Sequence, residues 1–496
     1  MFRSCVFVAA CGLAAAMQPG HAAEPAAPVV RIPGAHARVG FERIRLPGES
    51  ARLGLVGTSY LVDVAGIEGL SLGPAVYGAV SGDHGGFFNL GGEVAWRRRL
   101  FGPLGVELGF YAGGGGGGRT PAGGGLMLRP HADLVWDLGA LSLGVSLSKV
   151  RFPNGRIDST QLGLVVNASN DFRFVPAERL GAPVVSGGRA GIGFDRIQLV
   201  GGTYRSRSGS TLQNGDPMPR TIGTIGVRAE QAWGGHGFWG VEANRAGRGA
   251  VGGYAEYLGT VGVEHELMRD RLTVGARLAL GMAGGGGVAT GGGLLAKAAV
   301  YGIVRVGDNF GLALEGGITD APDGRFRAAQ ASAALVWALD RPDASGAPAK
   351  PARTDFAAGA LRFDAPRVAG GERPLAVVAL KIDRFLTPNI YVAGQVQAAA
   401  SGDAAGYSAA LVGGGWLQPV GSRAHVGAEL LAGAGGGGGV DGRGALLQPT
   451  LYAGWQLTPA VSLRLGVGHI RALSGRLDST LLDLSLNLTY GVSGGD

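Results

Sequence analysis

Cysteine is nearly missing from the 496 residues, with Cys5 and Cys11 the two present. Both fall in the opening stretch MFRSCVFVAACGLAAAMQPGHAAEPAAP, which has a basic start at Arg3, an apolar run and a small-residue site at Ala22-Ala23. That is the layout of a secretory signal peptide, assigned to residues 1–23. Val8-Ala9-Ala10-Cys11 also resembles a lipidation box, which would make Cys11 a lipidated start. Removal of residues 1–23 leaves no thiol. A disulfide scaffold, a thiolate metal site and a cysteine nucleophile are then excluded. Lysine is scarce too, with four residues against 40 arginines. No basic run interleaves with aromatics in the manner of a nucleic-acid interface. Charged residues make up 16% and aromatics 7%. A long uncharged stretch, 278–296, carries eight glycines and makes a poor membrane helix.

What is abundant is glycine, 95 residues, set among 46% hydrophobic residues with a mean hydropathy of +0.20. Glycine at that level disfavours long helices. The apolar content argues against disorder, and the strict three-residue period of collagen is missing. A turn-rich β-protein is what remains.

The chain repeats itself three times. Poly-glycine stretches begin after Ala112, Ala283 and Ala434. Upstream, SGDHGGFFNLGGEVAW from Ser81 matches SGDAAGYSAALVGGGW from Ser401, and AGRGAVGGYAEYLG from Ala246 is the looser middle copy. Downstream, PNGRIDST from Pro153 matches LSGRLDST from Leu473, with PDGRFRAA from Pro322 between them. The units are placed at 36–175, 188–340 and 359–493, with a Pro/Ala-rich linker at 341–358 and a shorter solvated spacer at 175–188. Within each unit apolar and polar residues alternate. In the last segment Leu482, Leu484, Leu486, Leu488 and Tyr490 alternate with Asp483, Ser485, Asn487 and Thr489, a strand with one apolar face. About eight strands are expected per unit, many of them long enough to cross a bilayer when tilted. Asn154-Gly155, Asp323-Gly324 and Ser474-Gly475, each followed by arginine (Arg156, Arg325, Arg476), are expected to form two-residue hairpin turns.

An export signal, a cysteine-free mature chain, repeated hairpins and an amphipathic last strand with Tyr490 near its end resemble the Gram-negative outer-membrane β-barrel proteins. The resemblance implies an all-β antiparallel transmembrane barrel in the cell outer membrane. It also implies contact with outer-membrane lipid and lipopolysaccharide, and the barrel-assembly machinery as a partner during biogenesis. Two architectures stay open: one barrel of about 22–24 strands, or three tandem eight-stranded barrels. The single barrel is preferred, because several independent barrels in one chain are uncommon.

Candidate sites are few. Arg97, Arg98 and Arg99 follow Trp96 at a strand end and form a basic tip suited to lipid phosphate or anionic polysaccharide. Asp158 and Asp478, with Ser159 and Ser479, are read as turn-pinning residues rather than parts of a hydrolase. The poly-glycine stretches lack the Lys-Ser/Thr and the helix that a phosphate-binding loop requires. They are read as flexible loops or sheet corners, or as places where another backbone approaches closely. No metal, cofactor or catalytic constellation is assigned. The expected function is transport, export or envelope architecture without enzymatic activity. The alternatives are a secreted β-repeat binding protein, or a lipid-modifying barrel enzyme marked by a His–Ser or Asp–His pair at a rim.

Overall fold

The computed structural model describes residues 30–184, 191–268, 271–307, 309–339 and 351–493. The signal peptide and most of the 341–358 linker lie outside them. The first repeat forms β1 Gly34–Arg45, β2 Arg52–Asp63, β3 Leu70–Ser81, β4 Phe88–Phe101, β5 Leu104–Gly116, β6 Met127–Asp137, β7 Leu141–Arg151 and β8 Asp158–Asp171. A two-residue strand, β9 Val175–Pro176, follows it. The second repeat gives β10 Arg196–Ser206, β11 Thr221–Trp233, β12 Gly237–Arg248, β13 Ala255–Met268, β14 Leu272–Gly284, β15 Leu294–Arg305, β16 Phe310–Asp320 and β17 Arg327–Ala338. The third gives β18 Pro351–Pro366, β19 Glu372–Phe385, β20 Ile390–Ser401, β21 Ser408–Val420, β22 Ala424–Gly436, β23 Gly444–Gln456, β24 Val461–Ala472 and β25 Asp478–Ser493.

Each repeat closes on itself. The sealing pairs are β1 with β8, β10 with β17 and β18 with β25, all antiparallel. The protein is therefore three eight-stranded barrels, and the expectation of a single large barrel is corrected. Every last strand pairs with the first strand of its own repeat, so each sheet seals on itself and the end of β25 beyond Leu488 is left to take another strand. The third barrel begins at Pro351, inside the segment read as linker. The first spacer is not a free tether either: β9 adds to β25, with Pro176 opposite Tyr490, and Tyr490 packs against Phe172 and Phe174.

Polarity is inverted relative to a water-soluble barrel. Along β8, Leu162, Leu164 and Val166 face outward, the first two 68% and 64% exposed, while Gln161 and Asn167 face a buried interior. The same stripe recurs at Leu482 and Leu484 on β25 and at Leu312, Leu314 and Ile318 on β16. The barrel strands, 11–16 residues long, meet or exceed the 9–11 that a tilted strand needs to cross hydrocarbon. No described helix is long and apolar enough to span.

The two rims differ. The chain enters and leaves each barrel at one of them, the terminal rim, where the shortest turn is the two residues between β4 and β5. All seven tryptophans sit near this rim and face outward: Trp96, Trp136, Trp233, Trp239, Trp337, Trp416 and Trp455. The 7% aromatic content thus supplies one interfacial girdle rather than two. The opposite loop rim carries all the repeated motifs. Its loops fold inward as an apolar lid, built in the first barrel on Ile44, Phe87, Ala122, Phe152 and Ile157. Tyr254 with Phe326, and Phe363 with Tyr407, meet edge-on in the other two lids.

The barrels meet as a closed ring. The third strand of each repeat packs on the fifth strand of the next: β3 on β14, β12 on β22, and β20 on β5. This is a head-to-tail interface that closes after three copies, within one chain. The poly-glycine stretches make it possible. Gly116 to Gly118, Gly284 to Gly287 and Gly436 to Gly439 hold successive positive φ angles that side chains other than glycine rarely adopt. A Cβ on Gly86 would lie 2.2 Å from the Gly285 nitrogen, and one on Gly406 would lie 2.8 Å from Gly117 Cα. Backbone hydrogen bonds cross two of the interfaces, from Gly85 N to Gly291 O at 2.9 Å and from Ala405 N to Gly123 O at 3.1 Å. Close backbone approach, one of the sequence readings, accounts for these stretches; a flexible loop does not.

Candidate functional site: filled barrel interiors and two rims

Alternation sends every second side chain of a barrel strand inward. In the first barrel those positions hold Arg38, Glu42, Glu93, Glu107, Arg129, His131 and Asp133, all buried. Arg129 grips Glu42 with two bonds, Nε to Oε1 at 2.9 Å and Nη2 to Oε2 at 3.1 Å. Arg38 donates to Asp133 at 2.7 Å, and His131 bridges Asp133 (3.0 Å) and Glu93 (3.2 Å). In the second barrel Arg228 holds Glu315 through two bonds of 2.9 and 2.7 Å, and Lys297 Nζ lies 2.7 Å from Glu242 and 2.5 Å from Glu256. In the third, Lys381 joins Glu429 (2.7 Å) and Asp383 (2.9 Å). Arg464 reaches Glu429 at 3.3 Å and lies 3.6 Å from the centre of the Tyr452 ring. Sequence reasoning passed over these residues. Their signal was present, as single charges at period-two positions inside otherwise apolar strands.

The interiors are packed rather than open. Glu107, Asn167, Glu256 and Gln397 have no accessible surface, although each points into the lumen. A water-filled passage would expose them. With the lids at the loop rim, no barrel offers a through-channel along its described residues.

One set of described side chains could hold a metal, namely Glu107, His131 and Asp133, whose ligand atoms lie within 4.8 Å of one another. The protein already supplies its cation. Arg38 contacts Asp133 and lies 3.6 Å from Glu107, Arg97 lies 3.4 Å from Glu107, and both ring nitrogens of His131 are engaged. A divalent ion would have to displace these groups, so the residues fit an internal ion-pair network better than a metal centre.

The predicted residues are distributed as follows. Alternation splits Arg97, Arg98 and Arg99. Arg97 turns inward to Glu107 and Ser142, Arg98 is exposed on the outside, and Arg99 reaches Asp137 at 3.8 Å. They stand at the terminal rim and form no single patch. The Gly-Arg elements lie in loops of five or six residues, which corrects the two-residue hairpin. Gly475 alone among Gly155, Gly324 and Gly475 has a positive φ. The loops are longer because their backbones also pair with the poly-glycine loops. Arg156 N donates to Pro121 O, Arg325 N to Ala289 O and Arg476 N to Asp441 O, at 2.8–2.9 Å. Asp158 and Asp478 begin strands rather than pin turns. Asp158 pairs with Lys149 at 3.0 Å, and Asp478 pairs with His469 and, at 3.7 Å, with Arg471. Ser159 and Ser479 accept the backbone N–H groups of Arg45 and Asp364, tying the barrel seam.

Two His–carboxylate pairs do occur at the loop rim. His84 is buried between Glu49 and the Gly118 carbonyl, 2.8 Å from each, so both nitrogens are used in clasping two loops together. His469 meets Asp478 on the outer face, whereas Ser479 turns to the other face of β25. Neither pair presents an activated serine.

No family profile matches the sequence, and no curated protein matches it. Among solved structures there is similarity to the siderophore receptor PirA from Acinetobacter baumannii, at 10% identity, 92% of this chain, 80% of that one and a TM-score of 0.28. OccAB3 from the same organism gives 9% identity, 93% and 99% coverage and a TM-score of 0.23. OccK11 (OpdR) from Pseudomonas aeruginosa gives 10%, 93%, 96% and 0.22. Superpositions this loose carry no argument about function. The closed antiparallel strand order, the apolar exterior and the polar interior themselves give the chain the architecture of the outer-membrane β-barrel class.

Proposed function

We propose that the protein is an integral outer-membrane protein with an architectural, non-conducting role. Its terminal rim faces the periplasm and its lidded loop rim faces out, following the usual arrangement of short periplasmic turns. The observation that carries this reading is the combination of a lipid-compatible exterior with three interiors occupied by neutralised charge networks. Transport through the barrels would require those networks to part, and a buried ion pair broken on one side costs about 3–5 kcal/mol. The role is read as non-enzymatic, because His84 has no free nitrogen and His469 has no serine on its face. Arg98 and Arg99 are retained as contacts for anionic headgroups or glycans near the tryptophan girdle.

Reconstitution into planar bilayers tests the reading directly. Conductance is expected to stay at the protein-free level, with the protein resisting carbonate extraction and shifting on a gel when heated. Steady channel currents would overturn the non-conducting role, and recovery in the soluble fraction would overturn the membrane assignment. Arg98→Ser with Arg99→Ser is expected to weaken adsorption to anionic vesicles; unchanged adsorption would remove the pair from the contact surface.

A further inference from the structure

We propose that the loop rim of the first barrel, at its closing seam, binds the headgroup of an anionic lipid bearing more than one phosphate. This rests on the membrane reading above and adds a site to it.

Along the adjacent strands β7, β8, β1 and β2, Lys149 and Arg151 on β7, Arg43 and Arg45 on β1, and Arg52 on β2 stand on the outer face close to the loop rim. Asp158, directly across the strands from Arg151, is an acid on that face, and its carboxylate is 3.0 Å from Lys149. The guanidinium groups of Arg43, Arg45, Arg52 and Arg151 make no hydrogen bond or ion pair among the described residues. Arg45 and Arg52 are direct cross-strand partners. Like charges in that position destabilise a sheet unless something between them is negative. A fold that pairs the described charges inside its barrels leaves this cluster with a surplus of positive charge, facing the membrane interface.

The ligand class follows from geometry. Arg45 and Arg52 stand about 5 Å apart at Cβ, whereas Arg151 on β7 is two strands from β1, about 10 Å away. One phosphate is filled by two guanidinium forks, so four unpaired forks spread over this width match two phosphates. Directly below, about 7 Å along the strands, lie Phe41, Leu147, Leu162 and Leu164, all exposed. A ligand must therefore continue into apolar chains, which selects a lipid over free polyphosphate. Guanidinium also matches phosphate in a two-point manner that ammonium does not.

The other repeats supply a comparison within the chain. In the third barrel Arg362 holds the place of Arg43, but Asp364 replaces Arg45, and Arg471 is paired with Asp478. In the second barrel Thr203 stands in the place of Arg43, and Arg327 pairs with Asp320 at 3.2 Å. One site per chain is expected.

The test uses the full chain in detergent, with cardiolipin as the two-phosphate probe and native mass spectrometry as the readout. One cardiolipin should bind per chain. Replacing Arg43, Arg45, Arg52 and Arg151 by Ser should weaken it about tenfold or more, while the fourfold Lys variant should fall between the Ser variant and wild type, because charge is kept and two-point bonding is lost. Leu162→Ser with Leu164→Ser should weaken cardiolipin and leave inorganic pyrophosphate unaffected. Equal affinity of the Ser variant and wild type would overturn the site, as would pyrophosphate binding as tightly as cardiolipin, which would make it a plain anion site. A heat-shift gel confirms that each variant is folded; if the fourfold variant is not, Arg45→Ser alone should still lower affinity. Failure of the membrane reading looks different, as a chain monodisperse without detergent.

Discussion

Lys297 shows how a single side chain is committed in this molecule. It is one of four lysines, it is buried in the second barrel, and it answers both Glu242 and Glu256. Lys297→Met would leave Glu256 without a cation. The expected cost is about 3–5 kcal/mol, the penalty of an uncompensated buried charge. It should appear as faster hydrogen exchange in the strands of the second barrel, with the other two unchanged; equal exchange in all three would show that the ion pairs add no net stability. Arg245 is a different case. It faces outward from β12, yet is buried between the second and third barrels, donating to the Ser408 carbonyl at 2.7 Å and to its hydroxyl at 3.0 Å. Arg245→Met keeps most of its apolar contact and removes both bonds. About 1.5–3 kcal/mol should be lost at that interface alone, measured as easier separation of the third barrel after proteolysis in the preceding linker.

At the scale of the element, the hairpins follow from alternation and the loops do not. The alternation read over 482–490 lies within β25, and each repeat has the eight barrel strands expected, because a period of two is written in consecutive letters. The Gly-Arg loops were misjudged because their length is set by hydrogen bonds to another loop some 35 residues away in sequence. The poly-glycine segments show the same limit. Their composition announced a special backbone, but the partner backbone belongs to another repeat. Gly406→Val would place a side chain against Gly117 at a φ of +92°. Overpacking of about 1–3 kcal/mol with left-handed strain of about 1–2 kcal/mol should loosen the contact between the first and third barrels and leave each barrel closed. A cysteine pair placed across that interface should lose its crosslinking yield. Retained yield would mean that the glycine contact is not what joins the barrels.

For the whole molecule, the tryptophans give the sharpest expectation. If the exterior is embedded as proposed, all seven indoles lie at one depth and on one side. Depth-graded brominated lipids should quench total tryptophan fluorescence with a single maximum near the headgroups, and a maximum at mid-bilayer would contradict the embedding. The basic residues facing outward at the loop rim, such as Arg43, Arg151, Arg205 and Arg362, oppose this girdle across the belt. The +7 formal charge is therefore arranged as well as abundant. Arg43-x-Arg45 and Lys149-x-Arg151 were legible as same-face pairs. That they stand side by side was not, since β1 and β7 are brought together only by β8.

The letters alone settled the β-class, the threefold repeat and the alternation of faces, because each of these is local and recurs within a few residues or a fixed spacing. The tertiary structure decided the number of barrels, the meeting of the glycine loops, the neutralisation inside each barrel and the sidedness of tryptophan and arginine. Those outcomes depend on which strand edge each last strand finds. Edge pairing is a contact between residues more than a hundred positions apart, and its geometry is fixed only when the sheet closes.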